Sequence, residues 1–375
     1  MGILAWKNLF YDKVRLAVTL VGIVFSLVLM LVQFGLFLNF VETAANVVDR
    51  SGADLWLSAP DIPHVNAGTP LLEANRWKAL QVPGVERVDR YILAWVPWKL
   101  PSGSSEAVMI VGFSPEGGMG RPWNIVSGSI EALKAENAVM VDELYLSKLG
   151  VKGIGDTVEI SGRRAKIVGL THGIRSFTTS PYIFTTFKNA LNYTPVLQPD
   201  ETIFFLVKTK PGADVEAVKR ALQERLPNLD VYTNQEMSRK TQVYWVLETG
   251  AGVTTMAGAL LGLVVGIVVV AQTIYAATVD HIREFGTLKA IGATNGRIYQ
   301  VILLQAALSA AMGYAVAISI AKLIADSTSS GNVPILLPPE VAVAAFIVAL
   351  AMCMGASVIS IRKATRIDPA LVFRG

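Results

Sequence analysis

Residues 249–279 read TGAGVTTMAGALLGLVVGIVVVAQTIYAATV and contain no Asp, Glu, Lys, Arg or His. A helix needs roughly 20 apolar residues to cross a hydrocarbon core of ~30 Å, and this stretch is longer than that. Working outward from it, residues 16–41, 298–321 and 341–361 have the same character. A single run of this kind also fits a buried core helix. Four of them without one internal charge predict four membrane spans.

The composition agrees. Of 375 residues, 52% are apolar and 17% are charged, whereas soluble domains carry about 25% charged residues. An ordinary cytosolic enzyme is therefore excluded. So is a disordered chain, which would be charged and poor in apolar residues. Cys353 is the only cysteine, so a secreted disulfide scaffold is excluded as well. The first run is too long for the apolar region of a cleaved signal peptide, which spans roughly 7–15 residues. It is expected to stay as a span.

Charge gives the orientation. With the N-terminus inside, the cytoplasmic pieces are 1–15, 280–297 and 362–375. They hold ten Lys and Arg against four Asp and Glu, a net +6. The external segment 42–248 holds 22 basic and 23 acidic residues, and the short external loop 322–340 one against two, so each is −1. The three parts return the chain's +4. Positive charge concentrates in the short cytoplasmic pieces, as the positive-inside rule requires. It sits at the membrane surface, where anionic lipid head groups are its simplest partner. The large soluble part is neutral, so a nucleic-acid partner is excluded.

The fold class predicted is a membrane protein of four transmembrane α-helices in a 1+3 order. A large α/β extracytoplasmic domain, 42–248, is inserted between helices 1 and 2. Within it, Thr202–Lys208 (TIFFLVK) reads as a strand. A turn at 210–214 and an amphipathic helix over Val215–Leu226 follow, then a strand over Leu229–Tyr232. Ala53–Ser58 predicts another strand and Leu72–Leu80 a helix. Ala138–Asp142 predicts a strand and Glu143–Leu149 a short helix. Asp156–Ile160 and Ala165–Leu170, joined by a turn at 161–164, predict a hairpin. The expected division is an α/β part, 50–115 and 200–235, with a β-rich part, 120–200, inserted into it.

Chemistry-bearing patterns are sparse. His64, His172 and His281 show no metal-ligand spacing; for His172, just after a strand, a carboxylate contact is one reading and a structural or surface role the favoured one. Gly117-Gly118-Met119-Gly120 lacks the Lys-Ser/Thr of a P-loop and reads as a flexible loop. Trp56, Trp77, Trp95, Trp98 and Trp123 lie in the external domain. They fit core and interface packing or the lining of an apolar passage. No catalytic or metal site is expected. The spans lack the ionisable groups that ion-coupled transporters place in the membrane.

Gly250, Thr254, Gly258, Gly262 and Gly266 recur every four residues along the second span. Such a small-residue stripe lets another helix approach closely. Two readings stand: a subunit interface at the centre of a dimer, or packing within one chain.

The loop after this span reads IREFGTLKAIGAT, residues 282–294. It resembles the REIG-LRA-GAT segment of the MacB/FtsX/LolC type of ABC transporter permease. The tail RKATRIDPA, 362–370, is similar to that family's closing segment, with Phe373-Arg374 in place of its usual Leu-Arg. Ala5-Trp6-Lys7-Asn8-Leu9, then Arg15, resembles its N-terminus. Residues 139–170 resemble its external strand, helix and hairpin. The resemblance covers the whole chain, and residues 29–35 in span one are similar to the DevC-like exporter branch.

The resemblance implies a non-catalytic, homodimeric permease, a type VII exporter, served by two copies of a cytoplasmic ABC ATPase. No cofactor is expected in this chain; ATP and Mg belong to the partner. The 280–297 loop becomes the coupling helix, carried by Arg283, Glu284, Phe285, Gly286, Leu288, Lys289, Ala290, Gly292 and Ala293. Residues 3–12 become an amphipathic helix on the inner surface. Mechanotransmission is implied: ATP-driven motion of the external domain exports a substrate from outside the inner membrane. A periplasmic adaptor and an outer-membrane duct belong to related systems. Alternatives are an FtsX-like regulator of cell-wall hydrolases, a lipoprotein-releasing permease, and extraction of an amphiphile such as a lipid or haem.

Overall fold

The computed structural model describes residues 10–11, 13–178, 180–280, 287, 293–329, 331 and 333–365. The chain forms two compact units. One is built from the described parts of Met1–Leu38, Val253–Ser329 and Pro334–Gly375; the other from Asn39–Gly252 and Ser330–Val333. The expected N-terminal helix over 3–12 lies almost wholly outside the described residues.

In chain order, α1 (Lys13–Ala44) is followed by α2 (Asn46–Asp49), β1 (Leu55–Ser58), β2 (Leu71–Leu72), α3 (Ala74–Leu80), β3 (Val85–Lys99), β4 (Ser105–Phe113) and β5 (Ile125–Ser127). Next come β6 (Ala138–Asp142), α4 (Leu146–Leu149), β7 (Thr157–Ile160), β8 (Arg163–Thr171), β9 (Tyr182–Thr186) and α5 (Phe187–Tyr193). The external unit closes with β10 (Glu201–Thr202), β11 (Phe204–Thr209), α6 (Val215–Arg225), β12 (Asp230–Thr233) and α7 (Asn234–Val243).

Four strands form an open layer in the order β12-β1-β11-β3, every pair antiparallel. With α3 between β1 and β3, and α6 between β11 and β12, this is a β-α-β-β-α-β arrangement with its two β-α-β units interleaved. Its helices start on strong local signals. Asp214 caps α6 by accepting from Glu216 N at 3.0 Å. Thr233 and Glu236 form a reciprocal capping box on α7. Glu236 also takes Lys219 of α6 at 2.5 Å, which ties the two helices together.

β3 is 15 residues long, where strands average about 5–6, and it serves two structures. Its first half pairs with β11, Val88 opposite Val207 and Tyr91 opposite Phe204. Its second half pairs with β4, from Ile92 opposite Gly112 to Lys99 opposite Ser105. From there β4, β9, β6, β8 and β7 follow in turn. β7 returns to β3 through Trp98 opposite Ile160 and Lys99 opposite Glu159. These six strands close into a ring, which leaves no free edge among them. Trp98 is fully buried at the closure and donates its Nε1–H to Leu149 O at 3.1 Å.

The inserted body therefore begins inside β3, near residue 92, and not at residue 120. A continuous apolar run, residues 91–98, spans that point, so the exchange of β11 for β4 as partner falls inside one uninterrupted strand signal. Smaller differences follow the same logic. The expected 53–58 strand starts at Leu55. The expected helix starts at Ala74, because Leu71–Leu72 pairs with Glu201–Thr202. The hairpin turn is two residues, Ser161 (φ 49°) and Gly162 (φ 77°), the positive pair a tight hairpin prefers.

The helical unit comprises most of α1 with α8 (Ala251–Asp280), α9 (Asn295–Thr328) and α10 (Pro339–Thr365). All four are long and apolar enough to cross a membrane. Ile23 and Leu27 of α1 pack with Val270, Ala306, Ala310, Ala349, Met352 and Cys353. Along α9, Ala306, Ala310, Gly313, Ala317 and Ala321 are buried. Gly313 lies where a Cβ would strike Ile23, so this second small-residue stripe lets α1 come close.

Candidate functional site

The sequence-predicted coupling residues Arg283, Glu284, Phe285, Gly286, Leu288, Lys289, Ala290 and Gly292 lie outside the described residues. Ala293 is described and immediately precedes Thr294, the N-cap residue of α9.

The stripe on α8 divides. A Cβ on Gly258 would meet Gln33 at 2.9 Å, one on Gly262 would meet Leu29 at 3.4 Å, and one on Gly266 would meet Met352 at 2.6 Å and Ser26 at 2.8 Å. These three glycines admit helices of the same chain. Gly250 and Thr254 do not continue that surface. Thr254 is exposed. Gly250 has φ 74° and nothing within 4 Å of an added Cβ. It is the left-handed break that ends one helix before α8 begins. Val253, Leu260, Leu261, Val264 and Val268 form an exposed apolar face of α8.

The external unit brings together a second set of residues. The last turn of α1, starting at Asn39, belongs to this unit, as does the Tyr244–Glu248 stretch that follows α7. That stretch is a turn of π-helix, a form that concentrates at functional positions. The loop after β8 lies against both. Phe177 packs edge-on against Phe40, ring centroids 5.3 Å apart, and against Trp245 at 4.2 Å. Trp245 in turn meets Tyr244 at 5.2 Å and His64 at 4.8 Å. The carbonyl of Arg175 accepts from Asn46 Nδ2, the first residue of α2. The Arg175 side chain donates Nε–H to Gly331 O at 3.0 Å, in the segment between α9 and α10. Residues 175–177 thus touch the end of α1, the turn before α8 and the α9–α10 connection.

The same loop is fastened to the ring. Asp142, at the end of β6, is 1% exposed. Its carboxylate accepts from Ile174 N at 2.7 Å, Thr171 Oγ1 at 3.0 Å and Leu144 N at 3.1 Å. The hydroxyls of Tyr145 and Tyr182 are buried without a partner of normal geometry, and Ser176 is their polar neighbour. Burial raises both phenol pKa values, so both stay neutral. His172 meets Glu143 in an exposed pair, so the carboxylate contact and the favoured surface role coincide. His64 accepts from Asn66 N at 3.2 Å through Nδ1. Burial pulls its pKa down to about 4, so it is a neutral ring at pH 7.

Other candidates from the sequence have structural roles. The Gly117–Gly120 segment is not a loose loop. Gly117 sits directly on the Asp89 carboxylate and Gly120 on the Tyr91 ring, where any Cβ would clash. Burial raises the Asp89 pKa, with Arg87 and Arg76 pulling it back. The five tryptophans do not share one surface. Trp56 and Trp98 are fully buried, Trp123 packs on the core, and Trp77 and Trp95 are exposed. Among the described residues no three His, Cys, Asp or Glu side chains come together as a metal set. A cleft of about 460 Å³ at the rim of the ring, lined by Lys99, Pro101, Val151, Glu159 and Arg164, is crossed by the Lys99–Glu159 pair.

Sequence reasoning missed residues 174–178 and Trp245. A local signal existed for the second: Tyr244-Trp245 stands just ahead of a span, where aromatic residues mark a membrane–water boundary.

Four apolar helices, with an interleaved α/β layer and a closed ring between the first two, define a polytopic membrane protein with an inserted extracytoplasmic domain. The MacB-like periplasmic core domain model matches residues 16–225, more than half of the chain, and the FtsX-like permease C-terminal model matches 240–369. The chain belongs to the MacB/FtsX-type family of ABC transporter permeases. It is 25% identical over 377 residues to the uncharacterized ABC transporter permease Rv2563 of Mycobacterium tuberculosis, over 99% of both chains. It is 23% identical over 374 residues to the uncharacterized ABC transporter permease Rv0072 of the same species, again over 99% of both. The periplasmic region of MacB from Actinobacillus actinomycetemcomitans is similar at 10% identity and a TM-score of 0.40, over 51% of this chain and 94% of that one. The extracellular domain of the transporter YknZ from Gram-positive bacteria is similar at 14% identity and a TM-score of 0.36, over 48% and 100%.

Proposed function

We propose that this permease is the non-catalytic subunit of an exporter that works by mechanotransmission. Two copies pair, and each takes a cytoplasmic ATPase that binds ATP and Mg. The 280–297 loop, with Arg283, Glu284 and Lys289 as its charged contacts, receives the ATPase motion. The spans pass it to the extracytoplasmic domain, and a substrate is moved on the outer side of the inner membrane. Both termini are cytoplasmic. A periplasmic adaptor and an outer-membrane duct complete the path.

One observation carries this reading. Residues 175–177 of the external unit touch the end of α1, the turn before α8 and the α9–α10 segment together. A domain that merely bound a ligand has no need of such a meeting point. Spans without ionisable side chains fit as well, since no polar tunnel through them is required.

The test is purification of the tagged chain from native membranes, with crosslinking at 280–297. An ATPase should be recovered, and Glu284→Lys and Gly286→Trp should each remove the permease's stimulation of that ATPase. Recovery of no ATPase, or full stimulation in both variants, refutes the coupling role. A cell-wall hydrolase among the partners points to the regulator. A bound lipoprotein or lipid points to extraction.

A further inference from the structure

Two strands lead to the spans, and they are neighbours. β1 follows α1 and α2, β12 leads into α7 and α8, and the two pair directly. Both belong to the open layer. The ring has no such covalent route. It is reached along the chain only through β3 and through the β9–α5–β10–β11 connection. Its own link to the span ends is residues 174–178.

That link has two sides of different character. On the ring side, Ile174 is held by buried Asp142, and Ser176 neighbours the Tyr145 and Tyr182 hydroxyls, with its Oγ 2.7 Å from Thr178 Oγ1. On the other side, the Asn46 bond uses the Arg175 carbonyl, which any residue at 175 would supply. Phe177 packs against rings from two elements. The tie to Gly331 uses the Arg175 side chain. Truncating that side chain removes the tie to Gly331 and leaves the Asn46 bond and the Phe177 contacts, which do not use it, in place.

We infer that Arg175 is a positioning residue that makes the ring of the external unit follow the α9–α10 segment. The inference rests on the transmission reading above. A hydrogen bond from a charged donor is strong enough to bias a coupled equilibrium by on the order of tenfold. Loss of this one is expected to weaken the ring's response to the ATPase cycle by about that factor.

The experiment uses the full chain with its ATPase, purified from native membranes into lipid nanodiscs. Deuterium uptake is compared with and without ATP over residues 138–142 and 163–178. The native complex should show an ATP-dependent change there. Arg175→Ala should keep the native uptake without nucleotide and keep basal ATP hydrolysis, yet lose most of the ATP-dependent change. Arg175→Lys, which can still donate, should retain more of the change than Arg175→Met, which keeps an extended side chain without a donor. This second pair decides the matter if the alanine variant does not fold. A full ATP-dependent change in Arg175→Ala, or in Arg175→Met, overturns the role of Arg175 and leaves the transmission reading standing. Altered uptake in the ring before nucleotide is added also overturns it, because Arg175 would then only support the fold. No ATP-dependent change in the native external unit overturns the transmission reading, and this inference with it.

Discussion

The open layer and the closed ring share one strand and are held together in opposite ways. The ring satisfies its strand edges by closing on itself, and the closure depends on a short contact between β3 and β7. The layer remains open, and polar ties from its loops and from α3 hold its strands in register. Asp54 accepts from Lys208 Nζ at 2.9 Å, Thr209 N at 2.8 Å and Thr209 Oγ1 at 2.9 Å. Arg76 donates Nε–H to Val88 O at 2.8 Å, and Arg90 meets Glu73 at 3.2 Å. A closed sheet moves as one body, whereas an open one can shear between strands. The strands that lead to the spans lie in the open part. The difference separates a layer open to shear from a closed ring, and each half can be attacked by itself.

Breaking the ring should have the largest effect. Trp98→Ala removes the fully buried side chain at the closure and the bond to Leu149 O. Large-to-small changes of this kind cost about 3–5 kcal/mol. Denaturant unfolding of the full chain should show that loss, with new protease cleavage in β7 and β8. A loss below about 1 kcal/mol would mean that β7 does not seal the ring, and the ring would then be as deformable as the layer.

Breaking a tie in the layer should cost less. Asp54→Ala removes three hydrogen bonds from a carboxylate that is only partly buried, and about 2 kcal/mol is expected. Burial alone would raise the pKa of Asp54, but Lys208 and Thr209 outweigh it and the pKa is lowered. The tie's stability is therefore full above the ordinary carboxylate pKa of about 4 and is lost as pH falls through the lower folded value. Deuterium uptake should rise in β1 and β11 and stay unchanged in β6 and β8. Equal loosening of the ring would mean that the two halves unfold as one body, and the comparison would fail.

Much of this was legible along the chain, and what was not shares one cause. Charge-free runs mark the spans because lipid tolerates nothing else. The unit from β11 to β12 was legible because each signal is local: an apolar strand, Asp214 as a cap, and Val218 and Leu222 on one helical face. The β7–β8 hairpin was legible for the same reason, although its turn is the two residues Ser161-Gly162 and not the expected 161–164. The double use of β3 was not, because residues 88 and 96 look alike and only their distant partners differ. Residues 174–178 were not, since their partners Asn46, Trp245 and Gly331 lie far off in the sequence. The α8 stripe was legible as a stripe. Sequence did not tell which positions face Gln33 and Ser26 and which, like Gly250, end a helix.

The smallest expected effect lies where the two halves meet the span ends. His64 packs on Tyr244 and Trp245, and desolvation lowers its pKa to about 4 from an ordinary value near 6.5. Above about pH 6.5 the ring is neutral in both folded and unfolded chains, so its contribution does not change. Between about 6.5 and 4 the unfolded chain takes up a proton that the folded one refuses, and stability falls as pH falls. Below about 4 both forms are charged and the fall stops. A Tm lower by roughly 2–4 °C is expected across that window, which corresponds to about 1 kcal/mol in a domain of this size. His64→Asn keeps an acceptor for the Asn66 N–H and cannot take up a proton. It should flatten that part of the pH profile and leave the Tm at neutral pH little changed. A native profile that is already flat from pH 6.5 to 4 would mean that the ring is solvated. The aromatic contact with Tyr244 and Trp245 would then be too loose to keep water from the imidazole.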